Sequence, residues 1–201
     1  MSIPGREDNL QLPLDAYLDI ETTGLCSFYD EITVIGTHVV NASENRLVQL
    51  VGKDVTKVNL LRILRGVDTI YTSNGSRFDL PFISSRLEVN LEGEFHHHDL
   101  MYDCWRSNLY GGFKAVEQQL GIPRRLRGIS GVEAVMLWWR YQIDHDQKAL
   151  ALLLEYNKED VVNLKALRER LGRYSCSRTT IGERGQGYAN SRNALRKGCP
   201  H

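Results

Sequence analysis

The stretch Leu14-Asp15-Ala16-Tyr17-Leu18-Asp19-Ile20-Glu21-Thr22-Thr23-Gly24 alternates apolar and polar side chains up to a glycine. Leu14, Ala16, Leu18 and Ile20 point one way, and Asp15, Tyr17, Asp19 and Glu21 the other, which is the period of a strand. Asp19 and Glu21 therefore leave the strand on one face. A carboxylate beside an apolar segment is costly without a partner, so the pair predicts a cation. Two more acids sit in comparable surroundings. Asp79 closes Asn74-Gly75-Ser76-Arg77-Phe78-Asp79, and Asp160 closes Tyr156-Asn157-Lys158-Glu159-Asp160. Carboxylates holding two Mg²⁺ or Mn²⁺ ions are a recurrent device for hydrolysing phosphodiesters. Asp15 shares the face but lies four residues back, roughly 14 Å from Asp19, too far for ions spaced about 4 Å. It reads as a surface acid.

Working outward, residues 32–40 are apolar and β-branched, a strong strand, and residues 46–51 form a weaker one across the turn-like 41–45. Three strands with short links predict an antiparallel meander. The period then changes. Val58, Leu61 and Leu64 mark a helix over 55–65, residues 68–72 a short strand, 78–87 a helix with Pro81 in its first turn, and 94–98 a last strand. Helices follow at about 99–109, 112–120, 131–142 and 147–171. The fold expected is α/β: a mixed five-stranded sheet flanked by helices, with a helical C-terminal half. Residues 1–14 read as a lead-in and 15–172 as one domain. Residues 173–201, rich in Gly, Ser, Arg and Asn, read as a flexible basic tail.

The 201 residues suffice for one domain with a real core. No apolar run reaches the ~20 residues of a membrane span, and no apolar segment follows the start as in a secretory signal; a cytoplasmic protein is expected. Cys26, Cys104, Cys176 and Cys199 have no metal-site or disulfide spacing and are expected to be free thiols. The formal net charge is zero, but from Arg173 onward there are six basic residues and one acid. The body is correspondingly acidic, as expected if several acids hold cations.

The remaining polar residues admit more than one role. Asp79 heads a helix, where an acid also suits the helix dipole. Tyr156 and Asp160 are four apart on a helix and share a face, whereas Glu159 points elsewhere. In His96-His97-His98 the middle ring faces away from the other two, so the run does not make one metal site. Asp99 follows a strand and is placed to cap the next helix. Arg124-Arg125 and Arg127, in a loop between Pro123 and Gly128, are candidate phosphate contacts, as are Lys114 and Arg77. Of the adjacent Trp138 and Trp139, one is expected in the core.

The three acidic motifs resemble those of the DEDD exonuclease superfamily, which has the ribonuclease-H-like fold, and Tyr156 resembles the tyrosine of its tyrosine variant. The chain is closer still to the YprB-like ribonuclease-H-like domain. The likeness continues through Ile32-Thr33-Val34-Ile35-Gly36, Phe78-Asp79-Leu80-Pro81-Phe82, His98-Asp99-Leu100, Val116-Glu117-Gln118-Gln119-Leu120-Gly121-Ile122 and Tyr156-Asn157-Lys158-Glu159-Asp160-Val161. It implies that Asp19 bridges two divalent cations, Mg²⁺ or Mn²⁺, that Glu21 and Asp160 complete one ion's shell, and that Asp79 serves the second. It implies that Tyr156 orients the attacking water. It also implies that Thr22, Thr23, Gly24 and Leu25 receive a terminal nucleotide, with Asn74, Arg77, Lys114, Arg124 and Arg125 as further substrate contacts. The function implied is 3′→5′ exonucleolytic hydrolysis of DNA or RNA, with a helicase or polymerase as conceivable partner. A catalytically idle nucleic-acid-binding module and a structure-selective endonuclease are the competing readings.

Overall fold

The computed structural model describes residues 13–186, with side chains through Arg173. Five strands form one sheet: β1 (Asp15–Thr22), β2 (Ile32–Val40), β3 (Asn45–Val51), β4 (Thr69–Thr72) and β5 (His96–Asp99). Their spatial order is β3-β2-β1-β4-β5. The expected meander is present: β1 pairs antiparallel with β2, and β2 with β3. β4 then joins β1 in parallel, and β5 joins β4 in parallel, which makes the sheet mixed. Each parallel step needs a crossover, supplied by α1 (Lys57–Ile63) before β4 and by α2 (Asp79–Leu87) and the short α3 (Leu91–Glu94) before β5. Thr56 caps α1 through its hydroxyl, which accepts from Asn59 N at 3.2 Å.

The C-terminal half contains α4 (Leu100–Arg106), α5 (Gly112–Gln119), α6 (Gly131–Asp144) and α7 (Gln147–Gln186). Ser130 and Glu133 form a reciprocal capping box at the start of α6. Two elements depart from expectation. Residues 91–94 are helical because Asn90 caps that turn, accepting from Gly93 N at 3.2 Å, so the last strand starts at His96. The last helix runs on to Gln186 rather than ending near 171. Residues 187–201 of the expected tail, with Cys199, lie outside the described residues, as does the side chain of Cys176. Cys26 and Cys104 are free thiols.

Both faces of the sheet are covered, which is why β2 is buried along almost its whole length. One core cluster joins Leu18, Ile20 and Ile35 to Leu60, Leu80 and Ile83 of α1 and α2. On the opposite face Tyr17 and Tyr71, stacked at 5.3 Å, meet Leu100, Val116 and Leu164. A third cluster seats Trp138 and Leu153 of α6 and α7 against Val34 of β2. Trp138 is buried and Trp139 exposed, as the adjacent positions predict. Asp15 is not a free surface acid: it pairs with Arg168, which also donates to Tyr17 Oη at 3.0 Å. Among the described residues no helix is long and apolar enough to cross a membrane.

Candidate active site

The acids converge where β1 ends under α7. The pairing of β1 with β2 slips between Glu21 and Thr22, an irregularity that ends the regular ladder beside the two acids. Carboxylate oxygens of Asp19, Glu21 and Asp160 all lie within 4.8 Å of one another. Asp79 enters from the first turn of α2, and its Oδ1 accepts from Ile20 N at 3.0 Å. It is therefore tied to β1 between the two strand acids, not merely a helix cap. All four acids and Tyr156 line one cleft of about 600 Å³.

Neighbouring side chains hold the acids in place. Asn157, fully buried on α7, donates to Asp19 Oδ2 at 3.1 Å and accepts from Gln49 Nε2 at 2.9 Å. This reach crosses β2 at Gly36, where an added Cβ would stand 2.1 Å from Asn157 Oδ1. Arg124, 8% exposed, donates to Asp160 and forms a two-pronged pair with Glu117 at 2.7 and 2.9 Å. Its Nη1 has no hydrogen bond, but lies 3.8 Å from Glu159. Asn163 completes the group by donating to Glu117 Oε1 at 2.7 Å. Lys114 Nζ donates to Tyr156 Oη at 2.7 Å.

Crowding of like charge away from water disfavours ionisation here. Burial, then the charges of Asp160, Glu21 and Asp79, hold the Asp19 carboxyl well above the usual range. Glu21 is raised well above its ordinary value by burial, with Asp160 and Asp79 adding to it. Burial pushes Asp79 up to about 7. Asp160 is also raised by burial, with Arg124 opposing. Burial and the nearby acids raise Tyr156, so its phenol keeps its proton. Lys114 is lowered by burial, against the pull of Asp160.

A hard divalent cation fits this donor set. Glu21 Oε1 is buried without a hydrogen-bond partner, and carboxylate oxygens at this spacing suit Mg²⁺ or Mn²⁺. Asp19, Glu21 and Asp160 would hold such an ion, with Asp79 alongside.

The other anticipated residues divide. Thr22, Gly24, Leu25 and Asn74 line the cleft. Thr23 turns away, its hydroxyl donating to Asp30 at 3.2 Å. Gly24 also makes room for Asp30, whose carboxylate would lie 2.5 Å from an added Cβ. Arg77 is exposed and lies over the Trp105 ring at 5.6 Å. Arg124, a candidate phosphate contact, is buried and paired with Glu117 and Asp160. Arg125 remains exposed. Glu159, expected to point away from the face shared by Tyr156 and Asp160, accepts from the backbone of Arg125 and Leu126 and anchors that loop. The histidines stay apart from the acids, with His97 bound to Thr72 at 2.9 Å. Asp99 caps α4 as expected, and also fastens the second motif by accepting from Asn74 N at 2.8 Å and Ser76 Oγ at 2.8 Å.

Sequence reasoning missed one wall of the cleft. Val132, Val135 and Met136 of α6 line it together with Leu25 and Phe78. The signal available was an apolar run, Val132 with residues 134–138, too wide for one helix face; Ala134, Leu137 and Trp138 are buried, whereas Val132 is 69% and Met136 61% exposed.

A mixed sheet with this strand order, carrying acids on its central strand beneath a C-terminal helix, defines a ribonuclease-H-like α/β protein. The chain belongs to the RNase H superfamily: the family model RNase_H_2, described as RNase_H superfamily, matches residues 16–172. Among curated proteins none matches. Solved structures agree on the fold. NrnC of Brucella melitensis bound to pGG superposes with a TM-score of 0.54 at 21% identity, covering 94% of this chain and 93% of that one. The same protein with bound Mg²⁺ gives 0.51 at 18% identity, covering 93% of each chain. A family B DNA polymerase from the hyperthermophilic archaeon Pyrobaculum calidifontis gives 0.61 at 15% identity over 80% of this chain. This chain spans 24% of that polymerase.

Proposed function

We propose that the protein is a divalent-cation-dependent nuclease that hydrolyses phosphodiester bonds at the 3′ end of a DNA or RNA strand. One observation carries this reading. Three carboxylates from two elements converge within 4.8 Å, one with a buried oxygen lacking any partner, on the floor of an open cleft. Ionised carboxylates crowded together away from water repel one another, and a cation offsets that cost. Bound by these acids, Mg²⁺ or Mn²⁺ supplies a water acidic enough to attack near neutral pH and charge to stabilise the leaving oxygen. Solved structures of NrnC, a structural neighbour, hold bound Mg²⁺ and bound pGG, which supports the cation and substrate class. The choice of the 3′ end rests on the motif pattern, with Tyr156 four residues before Asp160.

The residues then have distinct tasks. Asn157 fixes the Asp19 carboxylate, and Arg124 fixes that of Asp160. Tyr156 is too weak an acid to serve as a base. Its oxygen accepts from Lys114, which leaves its own proton to donate toward the attacking water. Leu25, Val132 and Met136 offer apolar surface to a terminal base, while Thr22 and Gly24 bring backbone close to it.

Oligonucleotides labelled at either end, together with a closed circle, test the proposal in Mg²⁺, Mn²⁺ and EDTA. Shortening from the 3′ end that needs the cation is expected, and Asp19→Ala or Glu21→Gln should slow it by about a hundredfold or more. Cleavage of the circle would replace the exonuclease reading with an endonuclease one. Binding without hydrolysis in any cation would leave only a binding module.

A further inference from the structure

A second cavity, of about 440 Å³, adjoins the acidic cleft. Ser73 and Asn74 line both. That boundary is held firmly, because Asn74 has a left-handed φ of 68° and its N–H is fastened to Asp99. Buried Cys104, Leu109 and Val116 give the second cavity an apolar lining, and Trp105 and Tyr110 border it. Both rings are left in contact with water, Trp105 at 37% and Tyr110 at 57% exposure.

The rings are also anchored. Arg77 lies over the Trp105 ring at 5.6 Å, and Tyr102 meets it edge-on at 5.5 Å. Tyr110 donates to the Trp105 carbonyl at 3.4 Å, and its own carbonyl accepts from Gln119 at 2.7 Å. Arg77 forms no ion pair among the described residues, so its charge is available to a phosphate. Exposed, immobilised aromatic rings beside a cation suit a base that is stacked on one side and followed by a phosphate.

We propose that the cavity bordered by Trp105 and Tyr110 is a second nucleotide subsite. It receives an unpaired nucleobase of the strand whose end lies in the acidic cleft, while Arg77 meets that strand's phosphate. The proposal rests on the nucleic-acid reading of the cleft and deepens it. A base seated there has left its complement, so the substrate is single-stranded beyond its terminal nucleotide.

Fluorescence anisotropy with the full chain tests this, using labelled single-stranded DNA and RNA of about ten nucleotides, in Ca²⁺ and in EDTA. An abasic residue is moved through the positions near the 3′ end. One such position is expected to weaken binding roughly 5- to 100-fold, the worth of one stacked base. Trp105→Ala should weaken the intact strand by a similar factor and show no further loss at that abasic position. Trp105→Phe, which keeps a ring, should retain the wild-type pattern, and a urea-denaturation midpoint for Trp105→Ala close to wild type excludes a folding defect. Blunt duplex should bind more weakly than either single strand. The subsite is overturned if Trp105→Ala and Tyr110→Ala bind within about twofold of wild type, or if the abasic penalty persists in Trp105→Ala. Trp105-dependent binding without hydrolysis in Mg²⁺ or Mn²⁺ overturns the nuclease reading and leaves the subsite standing. Hydrolysis with no dependence on Trp105 overturns the subsite alone.

Discussion

The guanidinium of Arg124 lies between two buried acids. Glu117 is 1% and Asp160 5% exposed, and both take hydrogen bonds from it. Removing one partner of a buried pair strands the others, which costs about 3–5 kcal/mol. Arg124→Gln should therefore lower the urea-denaturation free energy by about that amount, while Arg125→Gln, one residue on and exposed, stays within about 0.5 kcal/mol. Equal stabilities would show that the network is not holding Asp160. The acids themselves were legible from sequence because a carboxylate in an apolar strand is costly unless something compensates it. Arg124 was not, because an arginine in a Pro- and Gly-bounded loop looks the same whether solvated or buried. Only the fold reveals that Glu117, on α5, faces it across the loop.

Strands and helices were more legible than the contacts between them. Alternation identified β1, β-branching identified β2, and the change to helical period placed the crossovers. Gly36 stood in a quoted stretch without a role, because its role belongs to three elements at once. It lies opposite Asp19 in the β1–β2 register, under the Asn157 side chain that links β3, α7 and β1. Gly36→Ala would drive a methyl into Asn157. Overpacking of this kind costs about 1–3 kcal/mol, and displacing Asp19 by even 1 Å should slow cleavage by up to about a hundredfold. Asn157→Ser removes the obstacle. The Gly36→Ala/Asn157→Ser pair should then be less destabilised than the sum of the single changes, which urea denaturation of all four proteins measures. Additive losses would mean that the side chain is not held at Gly36.

At the scale of the whole molecule, the acidic centre couples folding to pH and to cations. Each of the four carboxyls has a folded-state pKa above its unfolded value, with Asp79 at about 7. Between the unfolded value of about 4 and the raised one, the native state binds more protons, so stability from these groups falls as pH rises. His97 works the other way. Burial lowers its pKa, so its contribution is lost as pH falls. A melting temperature alone therefore mixes opposing terms, whereas the increment produced by a cation isolates the acids. At about pH 5 a cation must displace protons from the site; above about pH 7, where the Asp79 carboxyl ionises, it meets more negative charge and fewer protons. Mg²⁺ or Mn²⁺ at a hundredfold excess over Kd should stabilise by about 2.7 kcal/mol, on the order of 5–10 °C in Tm for a domain of this size. At one fixed cation concentration the increment should be much smaller at the lower pH. Calorimetry in two buffers of different ionisation enthalpy should also show protons released on cation binding near pH 6 and fewer near pH 8. Glu21→Gln should lose most of the increment at both. If the wild-type increment is independent of pH, or survives in Glu21→Gln, the cation is stabilising the protein somewhere other than between β1 and α7.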